Sequence, residues 1–423
     1  MKNVILISAD FPYTYWQFAR AFKDNGANVF VIGGTPYHEL TDQLKRSITR
    51  YYHCWDMQNI EWMKEIVGCI INEFGPIDYL ESNNEFWLRN DSILREHFGI
   101  EGLKPAQLDE YQKKSSMKKF FEEGGAKVAP YLLVTDKNSV LEFANKFGYP
   151  LFAKPDIGVG AGGNFKIKNE ADLDSFFAEK DPNTPYICEV FVNSHMICTF
   201  DGITNNKSEA VICDSMVCPP SIFEIKQNSE DMCYFVMDRV DPKLEKVGKK
   251  TIKVMGLKNR IFHAEFFIAA EDCPGYFKKG DYVGIEVNIR APGGYTPDMI
   301  DFALSTSVYD ILADVVCFGT TDLTYGERFY CVTSSRRYHH SYFYNDEDIF
   351  RTYRNNICFS GDYPSILSDI MGDKFYMAKF KSFEDVKLFD SYITKRCDIP
   401  QKSSTLIHPL LGEDARMMRE KKY

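Results

Sequence analysis

Three short strings in the chain carry residues whose types and spacing could do chemistry. The sharpest is Glu286-Val287-Asn288-Ile289-Arg290. In an extended strand alternate side chains share a face. A carboxylate, an amide and a guanidinium then line up at steps of about 6–7 Å, while Val287 and Ile289 point into a core. Carboxylate and amide oxygens are hard ligands suited to Mg²⁺. Glu265, in the alternating run HAEFF, can sit on a neighbouring strand and complete such a site. Arg290 then lies just beyond the cation, placed to hold an anionic oxygen in a bidentate grip. The same string also fits a cross-strand Glu–Arg pair on a solvated sheet face, which is common and energetically slight.

The second string is Lys154-Pro155 followed by Gly158, Gly160, Gly162 and Gly163. A lysine at a strand end beside a glycine loop suits a triphosphate. The lysine supplies a point charge, and backbone N–H groups can approach phosphate oxygens with no Cβ in the way. No GK[ST] follows, so it is not a Walker loop. A plain β-hairpin with glycines at positive φ fits equally well. The third string is Glu189-Val190-Phe191-Val192, an acid heading an apolar run at a strand end. Its backbone could meet the edge of an adenine, or it could simply be a buried strand.

Other candidates carry less. The pair His339-His340 has no spaced third ligand, which favours a loop or core role. Cys213 and Cys218 lack the spacing of a zinc or redox motif and have no neighbouring cation to activate a thiol. The runs IVGCII around Cys69 and DVVCFG around Cys317 predict small buried hydrophobes.

The elements that must position these residues follow from the patterning. Residues 4–8 and 28–32 read as buried parallel strands around a helix at 15–25, the opening of a doubly wound unit. The pattern continues with helix 59–73, strand 78–80 and helix 86–98. The turn after the first strand, ADFPYTYW, has no glycine, so the dinucleotide fingerprint is missing. A basic helix is expected over 108–124 and strands over 131–134, 151–154, 165–168 and 186–192. From about 195 to 290 the apolar pattern alternates as in an antiparallel sheet, and a helix follows over 298–318.

Bulk composition sets bounds. The 423 residues suggest two to four domains, and 44% hydrophobic with 26% charged residues is the balance of an ordinary globular protein. A net charge of −10 without a long basic run argues against nucleic acid as a partner. Met1-Lys2 leads into VILIS, too short for a signal sequence or a membrane span, so no membrane partner and a reduced, cytoplasmic protein are expected.

Taken in order, the strings resemble the ATP-grasp superfamily, in its carboxylate–amine ligase branch of L-amino acid ligases and biotin carboxylase-like enzymes. The resemblance covers roughly residues 1–320. It implies a fold of mixed α/β and α+β class: a Rossmann-like preATP-grasp domain followed by an ATP-grasp fold of two α+β subdomains. The implied divisions are 1–107 for the first domain, 108–192 for a linker helix and the small lid subdomain, and 193–320 for the large subdomain with the metal site. A C-terminal α+β region, 321–423, completes the large subdomain. The segment KKSSMKKFFEEGGAKVAP resembles the family's pre-grasp helix, which puts Lys114, three residues before Met117, on the α-phosphate. Lys154 resembles the second nucleotide lysine and 158–163 the phosphate-covering loop, with Gly160, Gly162 and Gly163. Glu189, Phe191 and Val192 fall in the adenine hinge. His195 stands near the place where relatives carry a ribose-binding acid, a departure from the pattern. Glu265, Glu286 and Asn288 resemble the ligands of Mg²⁺ (or Mn²⁺), and Arg290 the arginine that steadies the acyl phosphate. Gly293-Gly294 follow it as in the branch's RxxGG turn. The implied activity joins a small carboxylate to an amine, amino acids among them, with ATP, through an acyl phosphate. A homodimer is a common assembly among such relatives. Two other readings stay open: activation of bicarbonate, as in biotin carboxylase, and nucleotide binding without catalysis.

Overall fold

The computed structural model describes residues 1–158, 163–218, 225, 229–397 and 406, with only the backbone at His195. Gly160 and Gly162, and the side chain of His195, lie outside the described residues. Among the described residues there are three sheets. The first is parallel, in the order Arg50–His53, Asn28–Gly33, Asn3–Ile7, Tyr79–Glu81. Its two central strands are buried almost throughout, as unbroken apolar runs require when helices cover both faces. The second sheet is antiparallel, in the order Tyr131–Leu133, Tyr186–Val190, Leu151–Pro155, Phe165–Ile167. The third is a large sheet that runs from Tyr282–Asn288 through Arg260–Ala269 and Ser194–Thr204 to the C-terminal strands Tyr330–Arg336, Lys374–Phe380 and Ile357–Asp362. These sheets give the mixed α/β and α+β class expected from the sequence. No helix among the described residues is long and apolar enough to cross a membrane.

Several elements differ from the sequence expectation, each for a physical reason. The helix expected over 108–124 is two, Pro105–Gln112 and Lys114–Gly124. The break at Lys113 lets Asp156 cap the second helix: its backbone oxygen accepts from Lys114 N at 2.8 Å and its carboxylate from Ser115 N at 2.8 Å. The helix expected over 298–318 is also two, Thr296–Leu304 and Val308–Phe318. Ser305 turns left-handed at φ 47, and Asp301 accepts the Val308 N–H at 2.7 Å. The strand expected to reach 192 stops at Val190. The strand carrying Glu286 and Asn288 stops at Asn288, so Arg290 stands past its end and not in line with them. Cys69 is exposed because helix Ile60–Phe74 turns Val67 and Ile70 inward and Cys69 out, and Cys317 is half-buried near the end of helix Val308–Phe318.

Two packing features hold the site's elements together. Helix Lys114–Gly124 lies on strand Tyr282–Asn288 and on helix Pro242–Met255. A Cβ at Gly284 would stand 2.5 Å from the Phe121 ring, so only glycine allows this approach. The parallel sheet is pinned to the large sheet by a buried cluster. Glu81 pairs with Arg95 at 2.8 Å and with Arg260 at 3.1 Å.

Asp91 sits in the same cluster, accepting from Ser82 N at 3.0 Å and Ser82 Oγ at 2.6 Å. Burial, and then the charge of Glu81, push its carboxyl up to about 8. The unfolded chain gives up this proton near its ordinary value while the fold keeps it. Between about pH 4 and that raised value the native state holds the extra proton, so stability falls as pH rises, by up to about 1.4 kcal/mol per unit. Asp91→Asn is expected to flatten this slope, measured as urea midpoints across the window. A slope equal to that of the parent protein would contradict it.

Candidate active site

The acidic residues picked out from the sequence come together on the large sheet. Strands Arg260–Ala269 and Tyr282–Asn288 pair antiparallel, with Glu265 directly opposite Glu286 and His263 opposite Asn288. Directly opposed side chains share one face, about 5 Å apart at Cβ. Asn288 Nδ2 stands 3.2 Å from Glu286 Oε1 and 3.4 Å from Glu265 Oε1. A half-turn of that amide presents its oxygen beside the two carboxylates. Burial, and then the charge of Glu265, raise the Glu286 carboxyl above its ordinary value. Burial works the same way on Glu265, but the hydrogen bond and charge of His263, with Arg290 and Lys154, outweigh it and hold that carboxyl low. Among the described residues no group of three or more His, Cys, Asp and Glu forms a metal cage. The donor set here is two half-buried carboxylates side by side and an amide. That chemistry fits a hard divalent cation.

The basic half of the site is built on the small antiparallel sheet and the helix Lys114–Gly124. Lys154 is buried and stands 3.2 Å from Glu189 Oε1; Lys118, fully buried on the helix, stands 3.1 Å from the same oxygen. Burial works against the Glu189 charge, but the two ammonium groups hold its carboxyl below the ordinary range. Burial pushes Lys118 down to about 8. Lys114 is buried too, with its pKa lowered by burial, and donates to Gly158 O at 2.7 Å. Three lysines against Glu189 leave net positive charge facing the carboxylates, which suits a polyanion bridging the two. The loop glycines Gly158 and Gly163 have φ of 140 and 73, as a turn of this kind requires.

At the hinge, the Glu189 side chain faces the lysines. Val190 N donates to Pro130 O at 3.0 Å and Phe191 N to Pro150 O at 3.1 Å. The Phe191 ring lies under the Lys166 ammonium, 3.7 Å from its centroid. Val192 is buried in an apolar cluster with Ala129, Phe277 and Val283.

Arg290 is brought back to the site by a residue far away in sequence. Its Nε donates to Glu85 Oε2 at 3.1 Å and its Nη1 to Ala291 O at 2.8 Å. Glu85 lies just past the last strand of the parallel sheet, and its other oxygen accepts from Gln112 at 3.0 Å. A cavity of about 360 Å³ opens here, lined by Asn84, Glu85, Gln112, Lys114, Glu286 and Asn288 among others. So Lys114, Lys154, Glu189, Glu265, Glu286, Asn288 and Arg290 all lie around one region. Sequence reasoning missed Lys118 and Glu85. Lys118 was detectable, since it stands one helical turn after Lys114 on the same face. Glu85 had only its place after a parallel strand, where open α/β sheets bind ligands.

Known proteins give a consistent picture. No family model matches the chain. The L-arginine-specific L-amino acid ligase of Bacillus subtilis is 27% identical over 168 residues, 40% of this chain and 40% of that protein. The carbamoyl phosphate synthase large chain of Thermotoga neapolitana is 26% identical over 173 residues, 39% of this chain and 15% of that protein. These matches thus cover well under two thirds of either relative. Among solved structures, L-amino acid ligase from Bacillus licheniformis aligns with a TM-score of 0.67 at 14% identity, covering 92% of this chain and 96% of that one. An ADP complex of N5-carboxyaminoimidazole ribonucleotide synthetase aligns with a TM-score of 0.65 at 15% identity, covering 92% and 95%. The chain has the fold of these structures, and its homologues and structural neighbours are ATP-grasp carboxylate–amine ligases.

Proposed function

We propose that the protein is an ADP-forming ligase that joins a small carboxylate to an amine through an acyl phosphate. The observation that carries this reading is the facing of Glu265, Glu286 and Asn288 by buried Lys114 and Lys154, with Arg290 beside them. A carboxylate is a poor electrophile, and phosphorylation turns one of its oxygens into a leaving group. In the first step an oxygen of the carboxylate bonds to the γ-phosphorus of ATP, and the bond to ADP breaks. In the second the amine bonds to the acyl carbon, phosphate leaves, and the amine gives up a proton.

Each residue has a role in this scheme. Glu265, Glu286 and Asn288 would hold Mg²⁺ or Mn²⁺, which would supply positive charge against the nucleotide's phosphates. Lys114 and Lys154 offset the remainder. Arg290 holds the oxyanion of the acyl phosphate and of its adduct with the amine. Gly160, Gly162 and Gly163 belong to the loop that excludes water, while Glu189, Phe191, Val192 and His195 belong to the nucleotide's base and ribose side. The same reading divides the chain near residues 107, 192 and 320.

The test is ADP and phosphate release with Mg-ATP and paired amino acids and small carboxylates. Release that requires a particular pair supports the ligase. A second reading is bicarbonate activation. It is favoured by the carbamoyl phosphate synthase relatives and by a neighbour of TM-score 0.63, a biotin carboxylase domain in complex with MgADP and bicarbonate. ADP release that depends on bicarbonate alone would select it. Nucleotide binding with no ADP release under any pairing would contradict both.

A further inference from the structure

The face of the large sheet that carries the carboxylates continues one strand deeper. His263 stands opposite Asp201, and Glu265 opposite Thr199, on strand Ser194–Thr204. Thr199, Asp201, His263, Glu265, Glu286 and Asn288 therefore form a two-by-three polar block on three adjacent strands. Its inner members are shielded from water: Thr199 and Asp201 are wholly buried and His263 is 6% exposed. A continuous line of hydrogen bonds crosses the block, converging on the Asp201 carboxylate from Thr199 and from His263. Met216 N donates to Thr199 Oγ1 at 2.9 Å, and Thr199 Oγ1 donates to Asp201 Oδ2 at 2.5 Å. Asp201 Oδ1 meets His263 Nδ1 at 2.7 Å, and His263 Nε2 meets Glu265 Oε1 at 3.1 Å. The contacts of His263 and of Asn288 both fall on the same oxygen of Glu265, Oε1.

We propose that Asp201 and His263 are positioning residues for the cation: they fix Glu265 through its Oε1 and aim its second oxygen, Oε2, at the divalent ion. This rests on the metal reading given above. A glutamate has three rotatable bonds and loses affinity as a ligand if it must be ordered on binding. A buried acid–histidine pair behind it removes that freedom in advance, as outer partners of metal ligands do. Stability alone is a poor explanation for the pair. A buried ion pair can often be exchanged for packed apolar side chains without loss. The opposite face of these strands, with Phe200, Phe262, Ala264 and Phe266, already supplies an apolar core.

The experiment is Mn²⁺ binding to the full chain, followed by electron paramagnetic resonance with and without ADP. ADP binding in EDTA is measured separately by calorimetry. His263→Ala is expected to weaken Mn²⁺ binding about 10–100-fold while metal-free ADP affinity stays at the parent value. His263→Gln, whose amide can still donate to Glu265, is expected to recover part of that loss. Asp201→Asn keeps the shape of the pair and is expected to shift Mn²⁺ affinity in the same direction by a smaller factor. It carries the test if His263→Ala does not fold, as judged by circular dichroism. Folded variants with parent Mn²⁺ affinity would overturn the positioning role and leave the metal site standing. Equal losses of Mn²⁺ and metal-free ADP binding would make the pair merely structural. A parent protein that binds no Mn²⁺ with or without ADP would remove the metal reading and the positioning role with it.

Discussion

Replacing Glu286 with glutamine is expected to lower turnover while making the apo protein more stable. Glu286 faces Glu265 across paired strands, and burial together with that charge raises its carboxyl above the ordinary value. A raised carboxyl means the ionised form is disfavoured in the fold. Its contribution is thus most favourable below the unfolded value and is lost as pH rises through the raised one. Glutamine removes this repulsion, so the variant should melt higher than the parent at neutral pH. Turnover should move the other way, because on the proposed reading Glu286 is one of the two charged ligands of the cation. A loss of about 3–4 kcal/mol of transition-state stabilisation corresponds to roughly 10²–10³-fold in kcat. The checks are steady-state ADP release and a thermal melt without metal or nucleotide. Parent-like turnover would remove Glu286 from the metal set. A lower melting temperature would mean that the carboxylate is held by favourable contacts.

The second large effect is expected at Glu81, outside the catalytic group. Its carboxylate lies between Arg95 and Arg260, all three almost wholly buried. Burial works against its charge, and the two guanidinium groups, Arg260 first, hold its carboxyl below the ordinary value. Arg260 also donates through Nε to Ile289 O at 2.9 Å, next to Arg290. Glu81→Ala leaves two buried cations without their shared partner, and a broken buried pair typically costs about 3–5 kcal/mol. The loss should appear in urea unfolding at neutral pH. It should shrink in acid, because a depressed carboxyl contributes above its unfolded value and loses that contribution as pH falls through the folded one. Turnover should fall as well, since the backbone beside Arg290 loses its anchor. A stability change under about 1 kcal/mol would contradict the reading of this cluster as the pin between the two sheets.

How much of this was legible in the sequence depends on how local each cause is. Glu265, Glu286 and Asn288 were readable because strand periodicity fixes which side chains share a face, and the apolar partners Phe266 and Val287 mark the other. Arg290 reaches the same region, but not in the strand register that the spacing implied. Its strand ends at Asn288, and Glu85, 205 positions away, holds it. The helix breaks at Lys113 and Ser305 were not readable from periodicity alone. The first is capped by Asp156, which lies 41 positions away. The second turns on a left-handed Ser305 and on Ser307, whose hydroxyl caps the next helix by accepting from Asp310 N at 3.2 Å; the polar run Ser305-Thr306-Ser307 marks it where apolar periodicity does not. Cys69 shows the opposite error, because its apolar neighbours sit on the buried face of a helix and the cysteine does not. The Asp201–His263 pair links strands 62 positions apart, and nothing in either local sequence marks it as polar core.

The most direct test of the acyl-phosphate claim is the fate of a carboxylate oxygen. Once a carboxylate that supports ADP release is found, it is labelled with ¹⁸O and turned over with Mg-ATP and the amine. The released phosphate is then analysed by mass spectrometry. An acyl phosphate predicts one ¹⁸O atom carried into phosphate for each amide bond formed, with ADP as the nucleotide product. Unlabelled phosphate, or label appearing in AMP, would contradict it.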